Sequence, residues 1–316
     1  MNGPVNEGMR SRASGCILGQ LCGDALGSLV EFQKPEKIRR DYPNGVREMH
    51  DGGTWCTIAG QPTDDSEMAL ALARSIISEG KYIQDSARTA YETWFASKPF
   101  DFGNTVYRGI NYDPDHASQA NGALMRVSPL GIFGSRFSAE LVGKFAEQDA
   151  IITHPNPICR QINNLFTRAL SHAIAYGSDP QEIYKNILIW AEELDVDFMV
   201  RKALVDAKTE RPRDFITQQG WVLIAFQNAV FQLLHASSLE ECLVDTISQG
   251  GDTDTNAAIA GALIGALEGE SSVPQRWRQT LLLCRPEDGD PRVFRPRPAI
   301  YWPIDATEVA GRLLGA

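Results

Sequence analysis

Apolar residues along this chain recur at intervals of three and four positions, the spacing of one face of an α-helix. The stretches with this spacing are 67–78, 83–97, 139–152, 159–176, 180–194, 197–206, 220–235, 239–248 and 257–267. Alternation of apolar and polar residues, which is typical of strands, is not sustained anywhere at comparable length. The pattern therefore predicts a compact all-α fold.

An additional helical stretch, residues 14–29, has a glycine at every fourth position. Gly15, Gly19, Gly23 and Gly27 fall on one face, because a helix repeats nearly every four residues. A face of glycines lets another backbone approach closely. We therefore expect this helix to lie at the centre of the fold.

Three segments interrupt the helical pattern. Residues 1–12 are polar and predict a loose N-terminal arm, which leaves 13–316 as a single domain. Residues 35–62 contain several glycines and few periodic apolar positions, so they predict a long loop of the kind that often carries function. Beyond Leu283 the chain is rich in proline and predicts a non-helical wrap before a final short helix.

Composition and charge narrow the class of protein. The 316 residues are 43% hydrophobic and 22% charged, typical of a globular chain with a large core. The net charge is −10 and no basic run occurs, which argues against a nucleic-acid partner. No signal peptide or membrane-spanning stretch is predicted. The six cysteines are scattered without a C-x-x-C pair, which favours reduced thiols and a cytoplasmic location.

Two clusters of oxygen-bearing side chains each precede an apolar helix. They are Thr63-Asp64-Asp65-Ser66 and Asp252-Thr253-Asp254-Thr255. A helix start needs one such oxygen as a cap, and these clusters hold more. Neighbouring carboxylates repel unless a proton or a cation lies between them, and Mg²⁺, Mn²⁺ and Ca²⁺ take oxygen ligands. If the two helix starts face each other, one or two hard cations could bind; the alternative is two unrelated capped helices.

Other polar positions have both a structural and a functional interpretation. Glu31 lies between apolar neighbours and is either a solvated acid or a site residue. The glycine-bearing turns 101–105 and 120–126 could hold a diphosphate through backbone N–H groups, although such turns are common. His154 is more typical of a structural hydrogen-bonding residue than of a phosphate ligand, and Trp221 of a core residue than of a stacking platform.

Taken in order, these stretches resemble the ADP-ribosylglycohydrolases, the family that includes dinitrogenase-reductase-activating glycohydrolase and the ADP-ribosylarginine hydrolases. The matching stretches are GCILGQLCGDALGSLVEF (15–32), TDDSEMAL (63–70), DFGNT (101–105), NGALMRVSP (121–129), THP (153–155) and SQGGDTDTNAAIAGALIG (248–265). Each is weak alone, but the ordered set is specific and spans most of the chain. One departure is Ser66, where a threonine is common.

The resemblance implies an all-α fold in which the two acidic motifs bind a pair of Mg²⁺ or Mn²⁺ ions. The metal ligands it implies are Thr63, Asp64, Asp65, Asp252, Asp254 and Thr255. The residues it implies for binding ADP-ribose are Asn121, Gly122, Ala123, Met125 and His154. The residues it implies for catalysis are Glu31, Asp65 and Asp101. Glu31 would lie on a segment that can move over the site. Asp101 would also bind the substrate through its guanidinium.

The implied activity is hydrolysis of an N-glycosidic bond, which removes ADP-ribose from a modified protein, with ADP-ribosylarginine as the favoured substrate. Asp64, Asp65, Asp252 or Glu31 could accept the proton of the attacking water. Alternatives from other classes are a non-catalytic ADP-ribose-binding module and a protein that blocks an ADP-ribosylating toxin by direct contact, through its N-terminal arm. Within the hydrolases, a serine-linked or O-acyl-linked ADP-ribose is the alternative substrate.

Overall fold

The structure is a computed structural model that describes residues 4–316. Over these residues the chain forms fifteen α-helices and no strand, which confirms the all-α prediction. The helices are α1 (Glu7–Gly27), α2 (Pro35–Asp41), α3 (Asp64–Glu79), α4 (Gln84–Ala96), α5 (Asn104–Ile110), α6 (Ser128–Gly134), α7 (Ala139–Ile151), α8 (Pro157–Tyr176), α9 (Pro180–Glu193), α10 (Phe198–Asp206), α11 (Val222–His235), α12 (Leu239–Ser248), α13 (Thr253–Glu268), α14 (Gln275–Leu283) and α15 (Ala306–Gly315). Among the described residues, no helix has the length and apolar character that crossing a membrane requires.

Helices α1 and α13 pack against each other at the centre of the fold. A Cβ added at Gly19 would lie 2.2 Å from the carbonyl oxygen of Gly261, and one added at Gly261 would lie 2.2 Å from that of Gly19. At Gly23 the added Cβ would lie 2.2 Å from the oxygen of Ala257. The backbones are therefore in direct contact, as the glycine face predicted, and α13 is the partner.

The start of α1 differs from the prediction. Asn6 caps the helix by accepting a hydrogen bond from the backbone N–H of Met9, and Met9 is buried. The prediction of a loose arm is therefore wrong for residues 7–12, which form the first turns of α1. Residues 1–3 of that arm lie outside the described residues, and the assignment of 13–316 as one domain stays a prediction.

The predicted loop at 35–62 also contains a helix. Helix α2 begins at Pro35, a residue that suits the first turn of a helix because its fixed φ matches helical backbone. Only Ile38 of this helix is buried, so its sequence carries no apolar periodicity. Residues 42–62 are without helix, as predicted.

The proline-rich segment after α14 is fixed to α3 by a buried ion pair. Arg297 donates from Nε and Nη2 to the Glu67 carboxylate at 2.8 and 2.7 Å, and both side chains are 2% exposed. Trp94 of α4 donates to the same carboxylate at 2.8 Å. The C-terminal wrap therefore supports the helix that carries the first acidic motif.

Candidate active site

Three helix ends meet at the centre of the molecule: the end of α1 and the starts of α3 and α13. The hydroxyl of Thr253 donates to the carbonyl oxygen of Gly27 at 2.7 Å, which joins α13 to α1. The hydroxyl of Thr255 donates to Oδ2 of Asp65 at 3.3 Å, which joins the two acidic motifs directly. The two motifs, separated by nearly 190 residues, therefore face each other.

Asp24, near the end of α1, orders the start of α3. Its carboxylate accepts hydrogen bonds from the backbone N–H groups of Thr63 and Ser66 and from the Thr63 hydroxyl, at 2.9 to 3.2 Å. Burial raises the pKa of Asp24 to about 6, and these hydrogen bonds oppose the rise. Asp24 was not predicted as a site residue, although it lies between Gly23 and Gly27 of the central glycine face.

A cavity of about 310 Å³ lies above these helix ends. Its carboxylates are Glu31, Asp64, Asp65, Asp101, Asp252 and Asp254. Other predicted site residues on its wall are Asn121, Gly122, Met125, His154 and Thr255. The two remaining ones, Thr63 and Ala123, are fully buried and do not line it.

The carboxylates suit a hard cation. Oxygen atoms of Glu31, Asp101 and Asp254 lie within 4.8 Å of one another. Oδ1 of Asp65 and Oδ2 of Asp254 are buried and have no hydrogen-bond partner within the described residues. Buried oxygens without donors carry a large desolvation cost, which a divalent cation would offset. The donor set is all oxygen, so it fits Mg²⁺ or Mn²⁺ better than a softer ion.

The same crowding shifts the pKa values of the acids. Burial, reinforced by the charges of Asp101 and Asp252, raises the pKa of Glu31 to about 9. Burial and the charge of Asp252 raise the pKa of Asp101 to about 7. Burial raises the pKa of Asp254 well above its ordinary value, as it does for Asp64 and Asp65. Without a cation, several of these groups therefore hold protons at neutral pH.

Glu31 and Asp101 come from two different loops, and their carboxylate oxygens lie within 4.8 Å of each other. Glu31 follows α1 in a turn whose backbone is fixed by a hydrogen bond from Phe32 N–H to the carbonyl oxygen of Gly251, at 2.7 Å. The indole N–H of Trp55 donates to Oε2 of Glu31 at 2.5 Å. Asp101 lies between α4 and α5. Glu31 is 5% exposed, so its carboxylate faces the cavity and is not a solvated surface acid.

The turn that begins at Asn121 forms another wall. Its backbone N–H donates to the Gly220 carbonyl oxygen at 3.0 Å, and its side-chain amide donates to Asp252 at 2.7 Å. A Cβ added at Gly122 would lie 2.9 Å from Val106 and 3.0 Å from the His154 ring, so a larger residue does not fit there. The turn is therefore linked to the second acidic motif.

His154 is fully buried beside this turn. Nδ1 lies 2.7 Å from the hydroxyl of Thr153, while Nε2 has no protein partner within the described residues. Burial and the nearby positive charge of Arg126 keep the pKa of His154 well below its ordinary value. The imidazole is therefore neutral, and its unpartnered nitrogen is available to a ligand at the cavity wall.

A groove continues the cavity past Gln219 and Gly220 toward Trp221. Trp221 is half-buried, packs against the core and donates from its indole N–H to Gln119 at 2.8 Å. The prediction of a core role therefore describes one face of this ring, while another face borders the groove. Gln219 and Gly220 were not predicted as site residues, because neither carries a charge and no motif includes them.

The chain is similar to known proteins over most of its length. The sequence profile of the ADP-ribosylglycohydrolases matches residues 6–292. The chain belongs to the ADP-ribosylglycohydrolase family. This membership confirms the resemblance drawn from the motifs, and it assigns the chain to a family of hydrolases.

Individual members of the family align over most of their length. The ADP-ribosyl-[dinitrogen reductase] glycohydrolase of Rhodospirillum rubrum is 31% identical, over 89% of this chain and 92% of that protein. The ADP-ribosylarginine hydrolase Tri1 of Pseudomonas putida (strain GB-1) is 28% identical, over 84% and 73%. A solved structure titled ADP-ribosylglycohydrolase-related protein complex superposes with a TM-score of 0.80 at 23% identity, over 98% of this chain and 99% of that one. This last similarity shows the shared fold.

Proposed function

We propose that the protein hydrolyses the N-glycosidic bond of ADP-ribosylarginine and so removes ADP-ribose from modified proteins. Water adds to the anomeric carbon of the ribose while the bond from that carbon to the guanidine nitrogen breaks. The leaving nitrogen takes up a proton, and the products are ADP-ribose and an unmodified arginine. The observation that carries this proposal is the convergence of six carboxylates on one buried cavity in a member of this family.

The carboxylates support a site for two divalent cations, Mg²⁺ or Mn²⁺. We assign Asp64, Asp65, Asp252 and Asp254 as carboxylate ligands, with the hydroxyls of Thr63 and Thr255 beside them. The hydroxyl oxygen of Thr63 lies 2.9 Å from Oδ1 of Asp24 and 3.1 Å from Oδ2 of Asp65, so its single hydrogen can be donated to either carboxylate. The cations would supply Lewis acidity toward the ribose hydroxyls and toward water.

Asp101 supports arginine as the leaving group. A carboxylate pairs well with a planar guanidinium, because both present two atoms in matching geometry. Asp101 lies on the cavity wall beside Glu31, and the two share one cluster of oxygens. A substrate whose sugar sits at this cluster would bring its leaving nitrogen to Asp101. A serine hydroxyl would offer that carboxylate no cation to pair with.

The wall formed by the turn at Asn121 and by His154 supports binding of the ADP-ribose portion of the substrate. Asn121, Gly122 and Met125 line it with His154, and the backbone of Ala123 lies in the same turn. The uncharged Nε2 of His154 can accept or donate one hydrogen bond without placing a second positive charge beside Arg126. The groove beyond Gly220 leaves room for the rest of the nucleotide.

Glu31 is the carboxylate to which we assign proton transfer with water. Trp55 engages its Oε2, so Oε1 is the atom that exchanges the proton. Burial, together with the neighbouring negative charges, raises its pKa to about 9, and a bound cation would lower that pKa toward the range useful for a base.

Release of ADP-ribose from a panel of substrates tests the proposal. Peptides carrying ADP-ribose on arginine or on serine, and O-acyl ADP-ribose, are incubated with the protein in EDTA, Mg²⁺ or Mn²⁺. The expected result is metal-dependent release that is fastest from arginine. Release that persists in EDTA would contradict the metal site, and faster release from serine would contradict the substrate. Tight binding of ADP-ribose without release from any substrate would favour a non-catalytic binding module.

A further inference from the structure

We propose that Trp55 is a positioning residue for the Glu31 carboxylate and that its ring couples Glu31 to the loop that carries Asp101. The inference rests on the proposed function, because it assigns a role within the same site. It concerns a residue of the 42–62 loop, which lies outside both acidic motifs.

The first observation is a direct hydrogen bond to the carboxylate. The indole nitrogen of Trp55 lies 2.5 Å from Oε2 of Glu31 and donates its hydrogen to that atom. Glu31 shares a cluster of oxygens with Asp101 and Asp254, so its carboxylate is repelled by these neighbours whenever the acids are ionised. A fixed donor opposes that repulsion and keeps one oxygen of Glu31 in place.

The second observation is that the Trp55 loop is attached to the Glu31 turn through the main chain. The hydroxyl of Thr54 donates to the carbonyl oxygen of Glu31 at 3.0 Å, and its N–H donates to that of Ser28 at 3.3 Å. A pair of hydrogen bonds between Gly52 and Thr57 closes the loop. The indole therefore lies on a short, closed loop. Hydrogen bonds to the carbonyl oxygens of Glu31 and Ser28 fix the position of that loop relative to Glu31.

The third observation is that the ring of Trp55 contacts aromatic residues next to both acids. Its centroid lies 6.4 Å from Phe32, which follows Glu31, and 6.0 Å from Phe100, which precedes Asp101. Arg295 of the C-terminal wrap donates to the Trp55 carbonyl oxygen at 3.0 Å and lies over the Phe100 ring. Movement of either acidic loop is thus transmitted to the same indole.

Other indoles in the chain provide the contrast. Trp277 donates to the carbonyl oxygen of Arg47 and Trp302 to that of Arg297, both at 2.7 Å. These bonds fix main-chain segments, and neither one reaches a carboxylate of the cavity. Trp302 therefore offers a matched control for removal of an indole N–H.

Three variants distinguish the contribution of the indole N–H from that of the aromatic ring. Trp55→Phe keeps an aromatic ring and removes the donor, while Trp55→His restores an N–H at the same number of bonds from Cβ. We expect Trp55→Phe to lower kcat on ADP-ribosylarginine peptide by about 10- to 100-fold, the usual cost of losing a supporting partner of a metal-site residue. KM and the Kd for ADP-ribose should stay within about twofold, Trp55→His should recover part of the loss, and Trp302→Phe should resemble the wild type.

A second measurement does not depend on turnover. Mn²⁺ is titrated while tryptophan emission is recorded, since a change near Glu31 alters the surroundings of Trp55. We expect the Mn²⁺-dependent change in emission to shrink in Trp55→Phe and to persist in Trp302→Phe. An unchanged emission response in Trp55→Phe would overturn the inference. So would a wild-type kcat in that variant, or an equal loss of kcat and ADP-ribose binding.

The two proposals fail in different ways. A wild-type protein that releases ADP-ribose from no substrate refutes the proposed function, and the emission titration then decides the role of Trp55. An active wild type with a fully active Trp55→Phe refutes the role of Trp55 alone. If Trp55→Phe does not fold, as judged by circular dichroism, Trp55→His decides by its kcat alone: a loss of less than about tenfold supports the role of the N–H, and a larger loss refutes it.

Discussion

The carboxylate of Asp24 accepts hydrogen bonds from both the backbone N–H and the hydroxyl of Thr63, at 3.0 and 2.9 Å. Thr63 is the N-cap residue of α3, yet its side chain makes no capping bond to its own helix. Asp24 of α1 supplies the cap from a distant part of the chain and also accepts from Ser66 N–H. The start of α3, with Asp64 and Asp65, is therefore aligned by α1.

Replacement of Asp24 by asparagine should weaken both the fold and the metal site. The amide would present N–H groups to donors, which leaves a buried N–H unpaired at a cost of about 1–3 kcal/mol in the free energy of unfolding. Mn²⁺ affinity should fall about 10- to 100-fold, because the ligand-bearing turn loses its support. Urea unfolding and calorimetric titration measure the two effects. Asp41→Asn, at an exposed ion pair, should leave both measurements close to those of the wild type.

Asp254→Asn should stabilise the metal-free protein while removing its response to metal. Oδ1 of Asp254 accepts from the Thr255 N–H at 2.9 Å, a bond that asparagine can keep. The substitution removes one of several crowded negative charges, so the metal-free melting temperature should rise. The rise in melting temperature on adding Mn²⁺ should be lost, and so should the release of ADP-ribose. A variant that keeps full Mn²⁺-dependent turnover would contradict the role of Asp254 as a ligand.

Asp101→Asn should slow the hydrolysis of ADP-ribosylarginine far more than it weakens the binding of free ADP-ribose. We expect kcat/KM on ADP-ribosylarginine to fall by about 100-fold or more, since a charged hydrogen-bond partner of the guanidinium is lost. The Kd for free ADP-ribose, which has no guanidinium, should change by less than about threefold. Steady-state kinetics and ligand titration provide the comparison. Equal losses in the two measurements would remove the leaving-group role of Asp101.

The effect of metal on stability should increase with pH. In the unfolded chain, Glu31 and Asp101 lose their protons near their ordinary pKa values of 4.5 and 3.8, whereas in the metal-free fold the pKa values are about 9 and 7. Between about pH 4 and about pH 9, the metal-free fold therefore binds more protons than the unfolded chain. Its free energy of unfolding falls as the pH rises through that range. A cation replaces those protons, so the rise in melting temperature with Mn²⁺ should be larger at about pH 8 than at about pH 5. A rise independent of pH would contradict this account.

Gly19→Ala should be poorly tolerated, because the added Cβ would lie 2.2 Å from the carbonyl oxygen of Gly261. Helices α1 and α13 would have to separate, at a cost of about 3 kcal/mol or more in the free energy of unfolding. Mn²⁺ affinity should fall with it, since the two helices carry groups of the same site. The control is Gly311→Ala in α15, where the nearest atom is 4.0 Å away. That variant should be neutral or gain up to about 1 kcal/mol; a well-tolerated Gly19→Ala would refute the close contact.

The helical architecture was largely predictable because most helices bury one face. The glycine spacing also predicted a close contact for α1, although only the structure identified α13 as its partner. Helix α2 was missed because Ile38 is its only buried residue, and α6 was missed because all seven of its residues are buried and it has no polar face. Short helices of either kind leave no periodic signal.

The acidic motifs were visible in the sequence because local density of carboxylates exceeds what a helix cap needs. Asp24 and Trp55 were not assigned, because their importance depends on hydrogen bonds to residues 39 and 24 positions away. No local pattern encodes such a pairing. The ligand, substrate and catalytic roles of individual side chains stay predictions, as does a direct contact with an ADP-ribosylating enzyme.

The ion pair between Glu67 and Arg297 has a consequence for synthesis of the chain. Glu67 lies on the same helix as Asp64 and Asp65, and the cation that balances its charge is added 230 residues later. When the chain has been synthesised only as far as α13, Arg297 is not yet present and Glu67 has no opposite charge with which to pair. The buried charge of Glu67 is therefore neutralised only after the chain has been synthesised as far as residue 297.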